Sequence, residues 1–212
     1  MNGEIKKRLR GHLVRWLVIV GLLISYLWLF TAPIPWSMES LVQQQTRNME
    51  YPEAEAWSVQ SLDKGISSIV LYDQVNDIYH HLFAEKFAGL FWISRGGGYG
   101  QMFDPDYILR FRMGMSTFSE HRNYYYSDWI GDPAIKRMKI QWFDGVEQEV
   151  EIKGDIAHAA RAIPEDYQSL TGRREYENLL FAYDEKGQLL YELSSNTGEG
   201  TYFIKKPEAV TP

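Results

Sequence analysis

Residues 136–153 read KRMKIQWFDGVEQEVEIK. Met138, Ile140 and Trp142 alternate with Arg137, Lys139 and Gln141; beyond Asp144-Gly145, Val146, Val150 and Ile152 alternate with Glu147, Glu149 and Glu151. Period-two alternation around an Asp-Gly pair predicts a β-hairpin with one apolar face. A two-residue turn would pair Ile140 with Glu149 and so put acids on that face. A three-residue loop, Phe143-Asp144-Gly145, pairs Trp142 with Val146, Met138 with Val150, Lys139 with Glu149 and Arg137 with Glu151. The second register keeps the apolar face intact, and its cross-strand ion pairs add roughly 0.2–1 kcal/mol each, so it is the one expected.

The same reasoning extends outward. Leu179–Leu193 reads as a second hairpin around Asp184-Glu185-Lys186-Gly187, with Leu179, Phe181 and Tyr183 sharing a face with Leu189, Tyr191 and Leu193 and the pair lying inside a sheet. Short strands are predicted at Ile69–Tyr72, Asp77–Phe83 and Gly89–Ser94, the last closed by Gly96-Gly97-Gly98, and Tyr107–Phe118 has strand-like composition. A helical piece is expected to open at Asp104-Pro105, an N-cap followed by proline at the first helical position, and short helices or turns over Asp155–Ala162 and from Pro164 to Leu170 before Gly172. Seven or eight short strands with one or two short helices predict a mainly β, sandwich-like domain over residues 61–206.

Upstream, Trp16 to Phe30 reads WLVIVGLLISYLWLF, and the uncharged run continues to Trp36. Twenty-one residues at 1.5 Å each meet the roughly 30 Å thickness of a bilayer's hydrocarbon core. Trp16 at one end, and Tyr26, Trp28 and Trp36 toward the other, match interfacial aromatics, and Pro33 and Pro35 would stop the helix. Residues 1–15 form a basic tail: Lys6, Lys7, Arg8, Arg10 and Arg15 against Glu4 give +4. The positive-inside rule then sets the N-terminus in the cytoplasm and the remainder outside. A cleaved signal peptide is the rival, but a cut after Ala32 would put Phe30 at −3 and Pro33 at +1, both poor. Residues 37–60 read as a polar juxtamembrane linker in which Ser37 could cap a short helix running through Arg47, and residues 207–212 as a C-terminal tail.

The chain of 212 residues carries a net −6 and no cysteine, so residues 16–212 carry −10. An acidic domain repels phosphate backbones, which disfavours nucleic acid as a partner. Without cysteine there are no disulfides, thiolate nucleophiles or Cys-based zinc sites.

Chemistry-bearing motifs are sparse. His80 and His81 are adjacent and would point to opposite faces of a strand, so they cannot readily share a metal. Arg95 followed by Gly96-Gly97-Gly98 lacks the Gly-Lys-Ser/Thr of a phosphate-binding loop; it reads as a connection or bulge, or as a ligand-contacting loop with Trp92, Arg95 and Tyr99. Tyr124-Tyr125-Tyr126 with Trp129 reads as core or as a stacking surface, with Tyr124, Tyr126 and Trp129 as the contacts. Ser61-Leu62-Asp63-Lys64 has the Ser-x-x-Lys spacing without its companion motifs. Asp128, Asp132 and Asp144 border turns without calcium-loop spacing. No catalytic residue, metal ligand or cofactor site is predicted.

Asp132-Pro133-Ala134-Ile135-Lys136, the Asp144-Gly145 turn and Ala182-Tyr183-Asp184-Glu185-Lys186-Gly187 lie within Gly131–Glu192. This stretch resembles small uncharacterised extracytoplasmic proteins of Gram-positive bacteria that are anchored by a helix or a lipid. The resemblance implies a sandwich-like surface domain and brings no catalytic residue. The expected function is a non-enzymatic, membrane-anchored extracytoplasmic domain that binds protein or cell-envelope partners. The alternatives are a hydrolase-like envelope enzyme, or an accessory subunit docking through its membrane helix, where Gly21 and Ser25 offer a small-residue pair.

Overall fold

The computed structural model describes residues 3–30, 34–167, 174, 177–195 and 202–206, excepting the side chains of residues 3–9, 27–30 and Tyr99. Helix α1 spans Gly3–Phe30 and α2 spans Met38–Asn48. Strands follow: β1 Glu55–Ser61, β2 Ile66–Asp73, β3 Ile78–Phe87, β4 Phe91–Met102, β5 Tyr107–Arg110, β6 Met113–Phe118 and β7 His121–Trp129. The rest are β8 Arg137–Gln141, β9 Glu147–Glu149, β10 Glu151–Lys153, β11 Ile156–Pro164, β12 Leu179–Tyr183, β13 Leu189–Ser194 and β14 Phe203–Lys205. They form antiparallel sheets in the orders β1-β2-β3-β4, β10-β11-β7-β6 and β13-β12-β8-β9, with β14 paired to β5. The fold is mainly β. The predicted stop at Pro33, the helix end at Leu170–Gly172 and the 207–212 tail lie outside the described residues.

The first sheet is buried on both faces. Leu41 and Val42 of α2 pack with Ile69, Leu71, Leu82 and Ala84 on one side. On the other, Val70 and Tyr79 meet Trp129 and Ile156 of the second sheet. The second sheet turns its far face to the third, where Tyr124, Tyr126, Ala157 and Ala159 pack against Met138, Ile140, Trp142, Leu180 and Ala182. The stretch read as a polar linker thus folds as α2 and β1. Ser37 caps α2 as expected, through a reciprocal box with Ser40 (Ser40 N donates to Ser37 Oγ at 3.2 Å, Ser37 N to Ser40 Oγ at 3.1 Å).

The first hairpin has the three-residue register: Lys139 pairs with Glu149, Trp142 N donates to Val146 O at 2.8 Å, and Val150 N donates to Met138 O at 3.0 Å. The expected Arg137–Glu151 pair does not form, because the strand changes sheets at Val150 and β10 pairs with β11, setting Glu151 opposite His158. In the second hairpin a bulge between Ala182 and Tyr183 shifts the register, pairing Leu180 with Leu193 and Ala182 with Tyr191. Tyr191 and Leu193 therefore share the face of Leu180 rather than that of Phe181. Of this pair β12 lies inside the sheet, between β13 and β8, and β13 at its edge.

Ile156–Ala162 belongs to β11, and Asp155 to the turn before it, rather than to a helix. Its alanines favour a helix in isolation, yet Ala157, Ala159 and Ala160 are buried where two sheets close on this strand and small side chains let them approach. Asp104-Pro105 opens a turn, not a helix. The glycine run does not end β4, which continues to Met102. A Cβ on Gly97 would collide with His81 O, and one on Gly98 would lie 2.6 Å from Tyr125 Oη, so the absence of side chains lets β4 close over β3 and Tyr125.

All described side chains of α1, from Arg10 to Tyr26, are exposed. Among the described residues no helix is long and apolar enough to cross a membrane; the described side chains stop at Tyr26, inside an apolar run that continues to Phe30.

Candidate functional site

Strand alternation decides what meets between the first and second sheets. β1 turns Ser58 inward, β2 Ser68, β3 His81 and β11 His158, and together they form a buried polar array, with the half-buried Tyr125 of β7 stacked on His81. Ser58 Oγ donates to Glu151 Oε2 at 2.8 Å and lies 2.7 Å from His158 Nδ1. Ser68 Oγ lies 2.8 Å from His158 Nε2 and 2.7 Å from His81 Nε2.

Proton counting fixes the direction of every bond. The single hydroxyl proton of Ser58 goes to the Glu151 carboxylate, so Ser58 Oγ accepts from His158 Nδ1–H. The neutral His158 ring then has an unprotonated Nε2, which accepts from the Ser68 hydroxyl. Ser68 Oγ in turn accepts from His81 Nε2–H, leaving His81 Nδ1 as a bare lone pair with no hydrogen-bond partner. The chain of donors runs one way, from His81 through Ser68, His158 and Ser58 to Glu151. Both rings are held neutral: burial lowers His158 to about 3, and burial together with the neighbouring His158 takes His81 well below its ordinary value.

Ser68 donating to a histidine whose other nitrogen leads to an acid has the connectivity of an activated nucleophile. Its surroundings are wrong for that work. Ser68 and His158 are fully enclosed, and a base titrating near 3 has little proton affinity at neutral pH. The adjoining cavity, lined by Tyr79, His81, Gln101, Arg112 and Tyr125 among others, measures about 70 Å3, well below the roughly 300–1,000 Å3 of a small-molecule site. The array locks two sheets together. Gln60 strengthens the same joint, donating to His158 O and accepting from Ala160 N, both at 2.8 Å, as does Tyr79 Oη donating to Ser127 O at 2.7 Å.

The residues singled out from the sequence do not converge. Trp92 packs against the core beneath α2, whereas Arg95 pairs with Glu85 at 2.6 Å. The side chain of Tyr99 lies outside the described residues. Tyr124 and Tyr126 are buried toward the third sheet, against Phe143 and Phe111 respectively. Trp129 sits on the opposite face of β7, between Tyr72, Tyr79 and Phe103. His80 and His81 do point to opposite faces: His80 packs on Tyr51 and accepts from Gly100 N at 2.8 Å. Among the described residues no group of three His, Asp or Glu could hold a metal. Asp128 binds Arg110, Asp132 accepts from Tyr191, and Asp144 binds Arg161 through both oxygens at 2.7 and 2.6 Å. Ser61 and Lys64 are exposed, with Lys64 paired to Glu120.

Sequence reasoning missed Ser58, Ser68 and Glu151. The available signal was Ser67-Ser68 inside the apolar run Ile66–Leu71, since a hydroxyl in a strand buried on both faces needs a buried partner. No protein-family model, curated protein or solved structure matches the chain.

Proposed function

We propose that the chain is a non-enzymatic, single-pass membrane protein, with a cytoplasmic N-terminus and a sandwich-like extracytoplasmic domain that binds a protein or cell-envelope partner. The observation carrying this reading is α1: Leu13, Trp16, Leu17, Val18, Ile19, Leu22, Leu23 and Ile24 are all exposed, on every side of the helix. A helix apolar all round needs an apolar surrounding, and no other described part of the chain covers its described side chains. The basic residues before Trp16 support the orientation. The enclosure of the serine–histidine array favours a binding role over hydrolysis. Val75, Met102 and Phe103, exposed at the β2–β3 turn and the end of β4, offer a partner an apolar surface.

Alkaline carbonate extraction of membranes tests the anchor. The full chain should stay in the pellet and a chain lacking residues 3–30 should leave it. Release of the full chain into the supernatant would end this reading.

A further inference from the structure

Resting on the anchor just proposed, we infer that the β3–β4 hairpin tip is a second membrane contact, seated in the headgroup–acyl boundary of the bilayer that α1 crosses. The tip, residues 86–92, reads KFAGLFW: five apolar or aromatic residues, one glycine, one lysine and no acid, in a chain with six more acids than bases. Residues 86–90 are exposed, Leu90 at 61% and Phe87 at 48%.

The turn is tight. Leu90 N donates to Phe87 O at 2.9 Å, and Ala88 and Gly89 both have positive φ, 50° and 69°. Such turns ordinarily take Asn or Asp at the first of these positions. Ala88 accepts a strained left-handed backbone and keeps the turn itself, Phe87–Leu90, free of polar side chains.

Chain connectivity fixes where the tip sits. Trp92 N donates to Pro35 O at 2.8 Å, and Trp36 meets Phe91 edge-on at 6.3 Å. The tip is thereby tied to the segment that leaves α1. Phe30, the last residue of α1, and Ile34 are four residues apart, at most about 14 Å even fully extended. With α1 spanning the bilayer, Ile34, Trp36, Phe87, Leu90 and Phe91 gather at its outer interface. Trp36 is 67% exposed, and interfacial Trp and Phe beside a lysine suit that depth. Two attachments, the helix and the tip, would fix the domain's tilt, whereas a helix alone would let it swing.

The chain has no cysteine, so single cysteines can report on depth. Full-length Leu90→Cys, Val75→Cys and Ile24→Cys are each labelled with an environment-sensitive fluorophore and reconstituted in phosphatidylcholine vesicles carrying shallow or deep spin-labelled lipids. Val75, 77% exposed, lies at the other end of β3, about 33 Å away for ten residues. The expected result is quenching of the Leu90 probe by shallow lipid several-fold above that of the Val75 probe, with the Ile24 probe, near the middle of the span, quenched by deep lipid. A Leu90 probe no more quenched than Val75, beside a deeply quenched Ile24, overturns the tip contact and leaves the anchor standing. An unquenched Ile24 probe removes the anchor and the tip contact with it. A Leu90 signal that follows protein concentration but not the quencher assigns the tip to a second copy and also overturns the proposal.

Discussion

The rings of His81 and Tyr125 stack face to face, centroids 3.5 Å apart and planes 5° from parallel, across the joint between the first and second sheets. Gly98 and Gly114 bracket Tyr125, and a Cβ on Gly114 would fall on its ring. Gly114→Ala should therefore destabilise the protein by about 1–3 kcal/mol through overpacking. In a Tyr125→Ala background the same change should cost much less, because the two residues collide directly. Urea unfolding of the four-member cycle reads the coupling, and equal costs in both backgrounds would mean that Tyr125 is not what Gly114 accommodates.

Acid should weaken the joint. Burial lowers His158 from an ordinary 6.5 to about 3, so between those values the unfolded chain binds the proton and the folded chain does not. The stability contributed by neutral His158 is complete above about pH 6.5 and is lost as pH falls toward 3, at up to about 1.4 kcal/mol per unit. His81 is shifted in the same direction and steepens the loss. Unfolding free energies between pH 7 and 4.5 should show the slope, and imidazole NMR should find His158 neutral at pH 5. A protonated His158 at pH 5 in the folded protein contradicts this assignment.

The first hairpin separates core from surface on neighbouring positions. Trp142 is fully buried, and Trp142→Ala should cost on the order of 3–5 kcal/mol. Glu149 is exposed and 3.6 Å from Lys139; Glu149→Gln should cost less than about 1 kcal/mol and less still in high salt. Denaturant midpoints of the two variants decide it, and a larger loss at Glu149 would refute the register.

That hairpin was legible because its information is local: alternation and an Asp-Gly loop set Lys139 against Glu149. The departure of Glu151 into another sheet was not, since nothing in residues 136–153 reports that Val150 leaves one partner strand for another. Asp155–Ala162 misled for a related reason, its alanines being chosen by the space between two sheets. The serine–histidine array was beyond reach because Ser58, Ser68, His81 and His158 come from four strands as much as 100 positions apart, and sequence alone shows no registry between sheets. The aromatics that drew attention, Tyr124, Tyr126 and Trp129, are large because they fill both faces of a central strand.

Arg110 and Asp128 form a buried pair, Nε to Oδ2 at 3.0 Å and Nη2 to Oδ1 at 2.8 Å. Arg110→Met leaves Asp128 without its cation and should cost about 3–5 kcal/mol. Adding Asp128→Leu should recover part of that loss, because the cost lies chiefly in the stranded charge. Thermal melts of the single and double variants give the comparison, and a double variant worse than the sum of both singles would argue for a further role of Asp128.

Topology is the central claim and is open to one direct measurement. Ser61 is exposed at the end of β1 and Gly3 precedes the basic run, so Ser61→Cys and Gly3→Cys in the full chain report on opposite sides of α1. In intact cells a membrane-impermeant maleimide should label Ser61→Cys and spare Gly3→Cys until the cells are permeabilised. Labelling of Gly3→Cys alone would invert the protein in its membrane, and protection of both until permeabilisation would place the whole chain inside the cell, contradicting the account.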